Sequence, residues 1–82
     1  MEIKVLGVGC AKWQKLYDAA KAVLEREGID AELVKVESLD EIMKAGVMMT
    51  PGLIIDGELK SAGKVPREKK LAEWIRAAAA RS

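Results

Sequence analysis

Hydrophobic and polar positions follow two different periods in the first half of the chain. Ile3 to Val8 is a short run rich in branched apolar residues and ends at Gly9, which is typical of a buried β-strand. From Ala11 to about Glu27 the period becomes helical. The apolar positions predicted to face the core are Leu16, Ala20, Val23 and Leu24, and those predicted to face outward are Lys15, Asp18, Lys21 and Glu25. Gly28 predicts the end of this helix.

The middle of the chain predicts a second strand and a short helix. Ala31 to Val36 is the strand. Ser38 with Glu41 three residues later has the spacing of a capping box, which predicts that a helix begins there. Its expected buried stripe is Leu39, Ile42 and Met43, and Ala45-Gly46 is expected to end it.

The last third predicts a hairpin followed by a helix. Gly52 to Ile55 is the third strand, and Asp56-Gly57 is a strong signal for a tight turn into an edge strand, Glu58 to Ala62. Val65-Pro66 predicts the start of the last helix, with proline in its first turn. The inner face expected for that helix is Leu71, Trp74, Ile75, Ala78 and Ala79.

The predicted element order is β-α-β-α-β-β-α. The opening βαβ unit requires a right-handed crossover and hence a parallel strand pair, whereas the closing hairpin is antiparallel. The sequence therefore predicts an α/β fold with a mixed four-stranded sheet. Helices are expected on both faces, because Leu53 to Ile55 is apolar on both sides. Residues 1–82 are too few for a second core and are expected to form a single domain.

Charge and composition limit the classes of binding partner and metal site that the sequence predicts. Lys plus Arg is 14 and Asp plus Glu is 13, and both signs are scattered, so neither nucleic acid nor a membrane surface is expected as a partner. One cysteine and no histidine provide no Cys/His zinc site in a single chain, so no metal site is expected. No signal peptide or membrane span is recognisable, which favours a reducing, cytoplasmic setting.

Cys10 is the residue with the clearest chemical potential. It precedes the first helix, where unpaired N–H groups and the helix dipole stabilise a thiolate, and Lys12 adds a positive charge. These features predict a lowered pKa and a nucleophilic sulfur. The alternative is that Cys10 is simply a small buried hydrophobic residue.

The chain resembles the thioredoxin superfamily, and in particular small thioredoxin- or glutaredoxin-like proteins labelled redox-active disulfide proteins. The matching segments are Val5 to Lys12, Gly28 to Glu32, Gly46 to Leu53, Ile55 to Leu59 and Gly63 to Pro66. The resemblance implies a thioredoxin-like fold, with Cys10 as the nucleophile and Pro51 as a cis-proline opposite it. The family motif Gly-Cys-x-x-Cys is Gly9-Cys10-Ala11-Lys12-Trp13 here, so an internal disulfide is impossible.

The same resemblance places the substrate-binding groove at Ala11, Lys12, Trp13, Thr50 and Pro51. A cis bond at Pro51 would leave the backbone of Thr50 free to pair with a peptide or with glutathione, whereas the simpler alternative is a proline that starts a strand. Trp13 is expected to shield the thiol, contact the substrate or pack in the core, with packing favoured.

Several neighbouring residues also have two interpretations. Tyr17 either extends the Trp13 surface or packs. Met43, Met48 and Met49 are interpreted as filler of the core or of the site rim rather than as metal ligands. Lys64 and Arg67 either attract an anion such as a glutathione carboxylate or lie on a solvated surface.

Three functions remain open. The first is a monothiol oxidoreductase in electron transport: Cys10 exchanges with a protein disulfide or a low-molecular-weight thiol, with glutathione as co-substrate and no other cofactor. The second is a redox-inactive binding module that uses the groove around Pro51. The third is a dimer holding an iron–sulfur cluster through two Cys10 thiolates and two external thiols. A monomer or weak dimer is expected.

Overall fold

A mixed four-stranded sheet with helices on both faces forms the molecule, which confirms the predicted fold class. The computed structural model describes residues 1–9 and 11–81. Its elements are β1 (Glu2–Leu6), α1 (Ala11–Glu27), β2 (Glu32–Val36), α2 (Leu39–Lys44), β3 (Gly52–Ile55), β4 (Glu58–Ala62) and α3 (Glu68–Arg81). The strand order is β2-β1-β3-β4, with β1 parallel to β2 and antiparallel to β3. Among the described residues, no helix has the length and apolarity to cross a bilayer.

The main core lies between the sheet and the pair α1 and α3. All four predicted apolar positions of α1 are buried, and the four predicted outward positions are exposed. Each fully buried leucine or isoleucine contributes about 1.5–3 kcal/mol. The side chains that form this core are Ile3, Val5, Trp13, Leu16, Ala20, Val23, Leu24, Leu53, Ile55, Leu71, Ala72, Ile75 and Ala78.

The opposite face of the sheet has a smaller core beneath α2. It consists of Leu6, Val36, Ile42, Val47 and Ile54. The prediction of a buried stripe on α2 was wrong for two of its three members. Leu39 is 63% exposed and Met43 is 73% exposed. A helix of six residues presents little more than one position to the sheet, and Ile42 occupies it.

Two predicted boundaries were wrong by two residues or more. β1 ends at Leu6 rather than Val8, because Gly7 makes the last bond to β2, from its N–H to the carbonyl of Val36 at 2.9 Å. The last helix begins at Glu68 rather than at Val65-Pro66, and a backbone hydrogen bond runs from the N–H of Leu71 to the carbonyl of Arg67 at 3.0 Å.

The inner face of α3 was only partly predicted. Leu71, Ile75 and Ala78 are buried as expected. Trp74 and Ala79 are only half-buried, whereas Ala72, which the periodicity did not select, is buried. Trp74 therefore packs against the border of the main core rather than inside it.

The predicted hairpin aligns the ends of the strands. Asp56 and Gly57 both have positive φ, 48° and 82°, as a tight two-residue turn requires. β3 then runs back along β1 with Gly52 opposite Leu6, and along β4 with Gly52 opposite Ala62. The end of β1, the start of β3 and the end of β4 therefore lie together at one end of the sheet, where the strands terminate.

Ion pairs on the surface connect α1 to α3. The Arg76 guanidinium donates to both carboxylate oxygens of Glu27, at 2.9 and 3.5 Å, and Arg26 pairs with Glu68. The hydrogen bond from Arg76 lowers the pKa of Glu27 below its ordinary value. Ion pairs at the surface contribute little to stability, so these pairs are a minor part of the packing of α3 on α1.

Candidate functional site

Three loops meet where β1 ends and where β3 begins. Residues 7–9 leave β1, residues 47–51 enter β3, and residues 63 and 64 leave β4. The N–H of Gly63 donates to the carbonyl of Pro51 at 2.9 Å. A Cβ on Gly63 would lie 3.0 Å from the Cβ of Met49, so the loop after β4 packs closely on the loop before β3.

The predicted nucleophile, Cys10, lies outside the described residues. Its chain neighbours are described on both sides: Gly9 has a φ of 58°, and α1 begins at Ala11. Ala11 and Lys12, both predicted to contact a substrate, are exposed in the first turn of α1. Cys10 is thus the residue that directly precedes this helix in the chain.

The loop before β3 presents Thr50 to solvent. The Thr50–Pro51 peptide bond is cis. Pro51 is buried and Thr50 is exposed. Within the described part of the chain, none of the backbone bonds that hold this loop involves Thr50.

Trp13 lies beneath the site and packs in the core. Its side chain is 4% exposed, and its indole Nε1 donates to the carbonyl of Val5 at 3.2 Å. The Tyr17 ring stacks on it with centroids 6.0 Å apart, and the Lys35 ammonium lies 5.4 Å from the Trp13 centroid and 4.5 Å from that of Tyr17. Of the interpretations of Trp13, packing in the core is the one that this burial supports.

Gly7 is fitted to the Trp13 ring. A Cβ at Gly7 would lie 2.5 Å from the Cδ1 of Trp13 and 3.0 Å from its Cγ. We expect Gly7→Ala to destabilise the fold by about 1–3 kcal/mol, because a rigid buried ring cannot move aside. Denaturant unfolding measures this effect.

Gly9→Asn is the matched control for this prediction. Among the described residues other than its chain neighbours, no heavy atom lies within 4 Å of a Cβ at Gly9, and asparagine tolerates its positive φ. We expect a change within about 0.5 kcal/mol for this variant. Combining Gly7→Ala with Trp13→Leu should cost less than the sum of the two single changes. Strict additivity would show that the two residues do not contact each other.

Exposed apolar side chains surround the loops of the site. Val8 is 56% exposed, Met48 is 93% exposed and Met49 is 65% exposed. Of the two interpretations of these methionines, Met48 and Met49 fit the rim rather than the core. Val8 was not predicted at the rim, since the hydrophobic pattern assigned it to β1.

Two further features escaped the sequence analysis. Lys35 contacts the Trp13 and Tyr17 rings from β2, and no sequence spacing links it to α1. Gly63 was part of the quoted motifs without a role, and its packing on Met49 and Pro51 supplies one. Gly63 has a positive φ of 83°, which favours glycine. The glycine itself was therefore the signal in the sequence.

This combination of elements defines a thioredoxin-type scaffold: a β2-β1-β3-β4 sheet, a long helix that follows β1, and a loop before β3 that ends in a cis-proline. The family model for the thioredoxin domain matches residues 1–76. The chain belongs to the thioredoxin family.

Two archaeal relatives show how far the similarity extends. The chain is 41% identical over 71 residues to a thioredoxin of Methanothermobacter thermautotrophicus, covering 87% of this chain and 92% of that protein. It is 36% identical over 74 residues to a thioredoxin of Methanocaldococcus jannaschii, covering 90% of this chain and 85% of that protein. The similarity thus spans nearly the whole of each relative.

Proposed function

We propose that this protein carries out thiol–disulfide exchange through the single thiol of Cys10, as a monothiol oxidoreductase. Membership of the thioredoxin family supports redox chemistry of this class. The observation that carries the monothiol form is Trp13, which occupies the position of a second cysteine and is buried in the core. The chain has no other cysteine.

The reaction follows from having one thiol. The Cys10 thiolate attacks one sulfur of a disulfide, a new S–S bond forms to Cys10, and the other sulfur leaves as a thiolate. An external thiolate, from glutathione or a protein partner, then attacks the mixed disulfide. That second step returns Cys10 to the thiolate and transfers the S–S bond to the external thiol, so electrons balance without an internal partner.

The residues proposed to surround the thiol would bind a partner rather than act as acids or bases. Among the described residues, the amide and carbonyl of Thr50 take part in no backbone hydrogen bond, so they are suited to an extended peptide or to the backbone of glutathione. The exposed rim of Val8, Met48 and Met49 suits apolar side chains of a partner. Ala11 and Lys12 complete the proposed contact surface, with Trp13 supporting it from below.

A binding module without redox activity is the second candidate. The same exposed Thr50 and apolar rim favour it, because a peptide could dock there whether or not Cys10 reacts. The state of the Cys10 sulfur separates the two candidates: exchange requires an accessible thiolate near neutral pH, and docking alone does not.

The pH dependence of Cys10 alkylation tests the exchange proposal. We expect the rate with iodoacetamide to rise through a midpoint well below the value of roughly 8.5 for a free cysteine, because the helix start and Lys12 favour the thiolate. Since the chain has one cysteine, every modified thiol is Cys10.

The unfolded protein is the control, because denaturant removes the helix but leaves the same thiol. Its midpoint should return to that of a free cysteine. A folded midpoint at or above the unfolded one, or a thiol that does not react when folded, would contradict the exchange proposal. The binding module would then be the better account.

A further inference from the structure

A cleft with basic walls lies at the start of α3. It has a volume of about 480 Å³, and we call it the basic cleft. The residues that line it are Lys64, Val65, Pro66, Arg67, Lys70 and Trp74. Three are cationic and exposed, whereas Val65, Pro66 and Trp74 are half-buried and supply an apolar floor.

The positive charge of the basic cleft is largely uncompensated. Among residues 1–9 and 11–81, no carboxylate lies within ion-pair distance of Lys64 or Arg67, and only Lys70 has one, Glu73 at 3.7 Å. Glu68, the one acidic residue in the first turn of α3, is paired with Arg26 of α1. A net charge of only +1 for the whole chain makes this local excess distinctive.

Aromatic and backbone features add to the attraction for anions. The Lys70 ammonium lies 5.7 Å from the centroid of the Trp74 ring, so the long side chain is held against the cleft wall. The residues immediately before α3 also lie at the positive end of its dipole. These features act together with the unpaired cations.

The basic cleft is continuous along the chain with the candidate site. Lys64 directly follows Gly63, whose N–H bonds the Pro51 carbonyl and whose backbone packs on Met49. A polypeptide lying along Thr50 therefore has a short path into the cleft. This adjacency favours a segment of the bound partner over an unrelated small anion.

We infer that the basic cleft binds an acidic segment of the partner protein, next to the segment that occupies the Thr50 loop. This inference rests on the proposed function for its partner, a protein with an exposed disulfide. Carboxylates of that segment would pair with Lys64 and Arg67, and its aliphatic carbons would lie on Trp74 and Pro66. Partners with acidic residues beside the disulfide would associate faster and more tightly than neutral ones.

Peptide binding tests the cleft separately from the thiol. The probe is a fluorescein-labelled, cysteine-free peptide rich in glutamate, and the reference is the same peptide with glutamine at those positions. We expect the glutamate peptide to bind about tenfold more tightly at low ionic strength. It should lose most of that preference near 0.3 M salt, because the Debye length there is only ~5–6 Å and exposed charges are strongly screened. Fluorescence anisotropy measures both affinities.

Charge reversal locates the binding. Lys64→Glu with Arg67→Glu should lower the affinity for the glutamate peptide about tenfold. Lys15→Glu with Lys21→Glu makes the same change in net charge on the exposed face of α1, outside the cleft, and should have much less effect. Circular dichroism and unfolding midpoints establish that both double variants are folded.

Three outcomes would overturn the inference: no preference for the glutamate peptide, equal losses in the two double variants, or displacement of the peptide by reduced glutathione at equimolar concentration. The last would assign the cleft to the small thiol instead. Because the peptide has no sulfur, none of these results depends on Cys10 reactivity. An unreactive Cys10 with intact peptide binding would instead reject the exchange proposal alone.

Discussion

Cys10→Ser is expected to reduce thiol–disulfide exchange at least about 100-fold, to the level of the reaction without protein. A serine hydroxyl without an adjacent base is not a nucleophile at neutral pH, and the chain contains no second thiol to take over. The measurement is the release of glutathione from a glutathionylated peptide, with reduced glutathione as the second thiol. This is the largest effect that the proposed function predicts.

The control for Cys10→Ser is that the variant should still fold and still bind the cysteine-free peptide, although it cannot exchange disulfides. The variant should unfold at nearly the same denaturant concentration as the parent, since serine and cysteine are similar in size. It should also bind the cysteine-free glutamate peptide as the parent does. Exchange activity that survives the substitution would exclude the monothiol mechanism.

Trp13→Cys is expected to have the largest effect on stability. Removing most of an indole that is 4% exposed leaves a cavity, and it also removes the hydrogen bond to the Val5 carbonyl. Large aromatic truncations in cores cost about 3–5 kcal/mol, which is a large part of the stability of a small domain. Denaturant unfolding under reducing conditions measures this loss.

The same variant tests the placement of the thiol. Trp13→Cys restores a Cys-x-x-Cys sequence at the start of α1, so mild oxidation should form an internal disulfide and recover part of the lost stability. Trp13→Ala is the matched control, since it makes a similar cavity without a thiol and should not respond to oxidation. If the cysteine variant oxidises only to intermolecular dimers, positions 10 and 13 do not have the arrangement that the family motif implies.

The structure gives Trp13 a role that accounts for the incomplete motif. A cysteine at that position would leave the ring pocket between Gly7, Val5 and Tyr17 unfilled, whereas tryptophan fills it and stacks on Tyr17. The residue thus stabilises the base of the site. Any second sulfur needed for turnover then has to come from another molecule.

Local patterns predicted most of the fold because each acts over a few residues. The helical period placed α1 at Ala11–Glu27 without error, and Asp56-Gly57 predicted the hairpin, since both signals depend only on neighbouring backbone. The predicted burial of Leu39 and Met43 in α2 was wrong, because burial depends on how much of a short helix contacts the sheet. The predicted start of α3 was wrong because Val65 and Pro66 belong to the loop before the helix, where they line the basic cleft.

By itself, the sequence determined the element order, the thioredoxin-type fold, the single thiol and the cysteine missing at position 13. The element order follows from periodicity and turn chemistry, and the single thiol from the residue count. The thioredoxin-type fold and the missing cysteine follow from the resemblance of the motifs to that family. Only the tertiary structure decided that Trp13 is buried in the core, that Lys35 lies over its ring, and that Lys64, Arg67 and Lys70 line one cleft at the start of α3. Such contacts join residues far apart in the chain, and the strand register that brings them together is set by packing of the whole sheet.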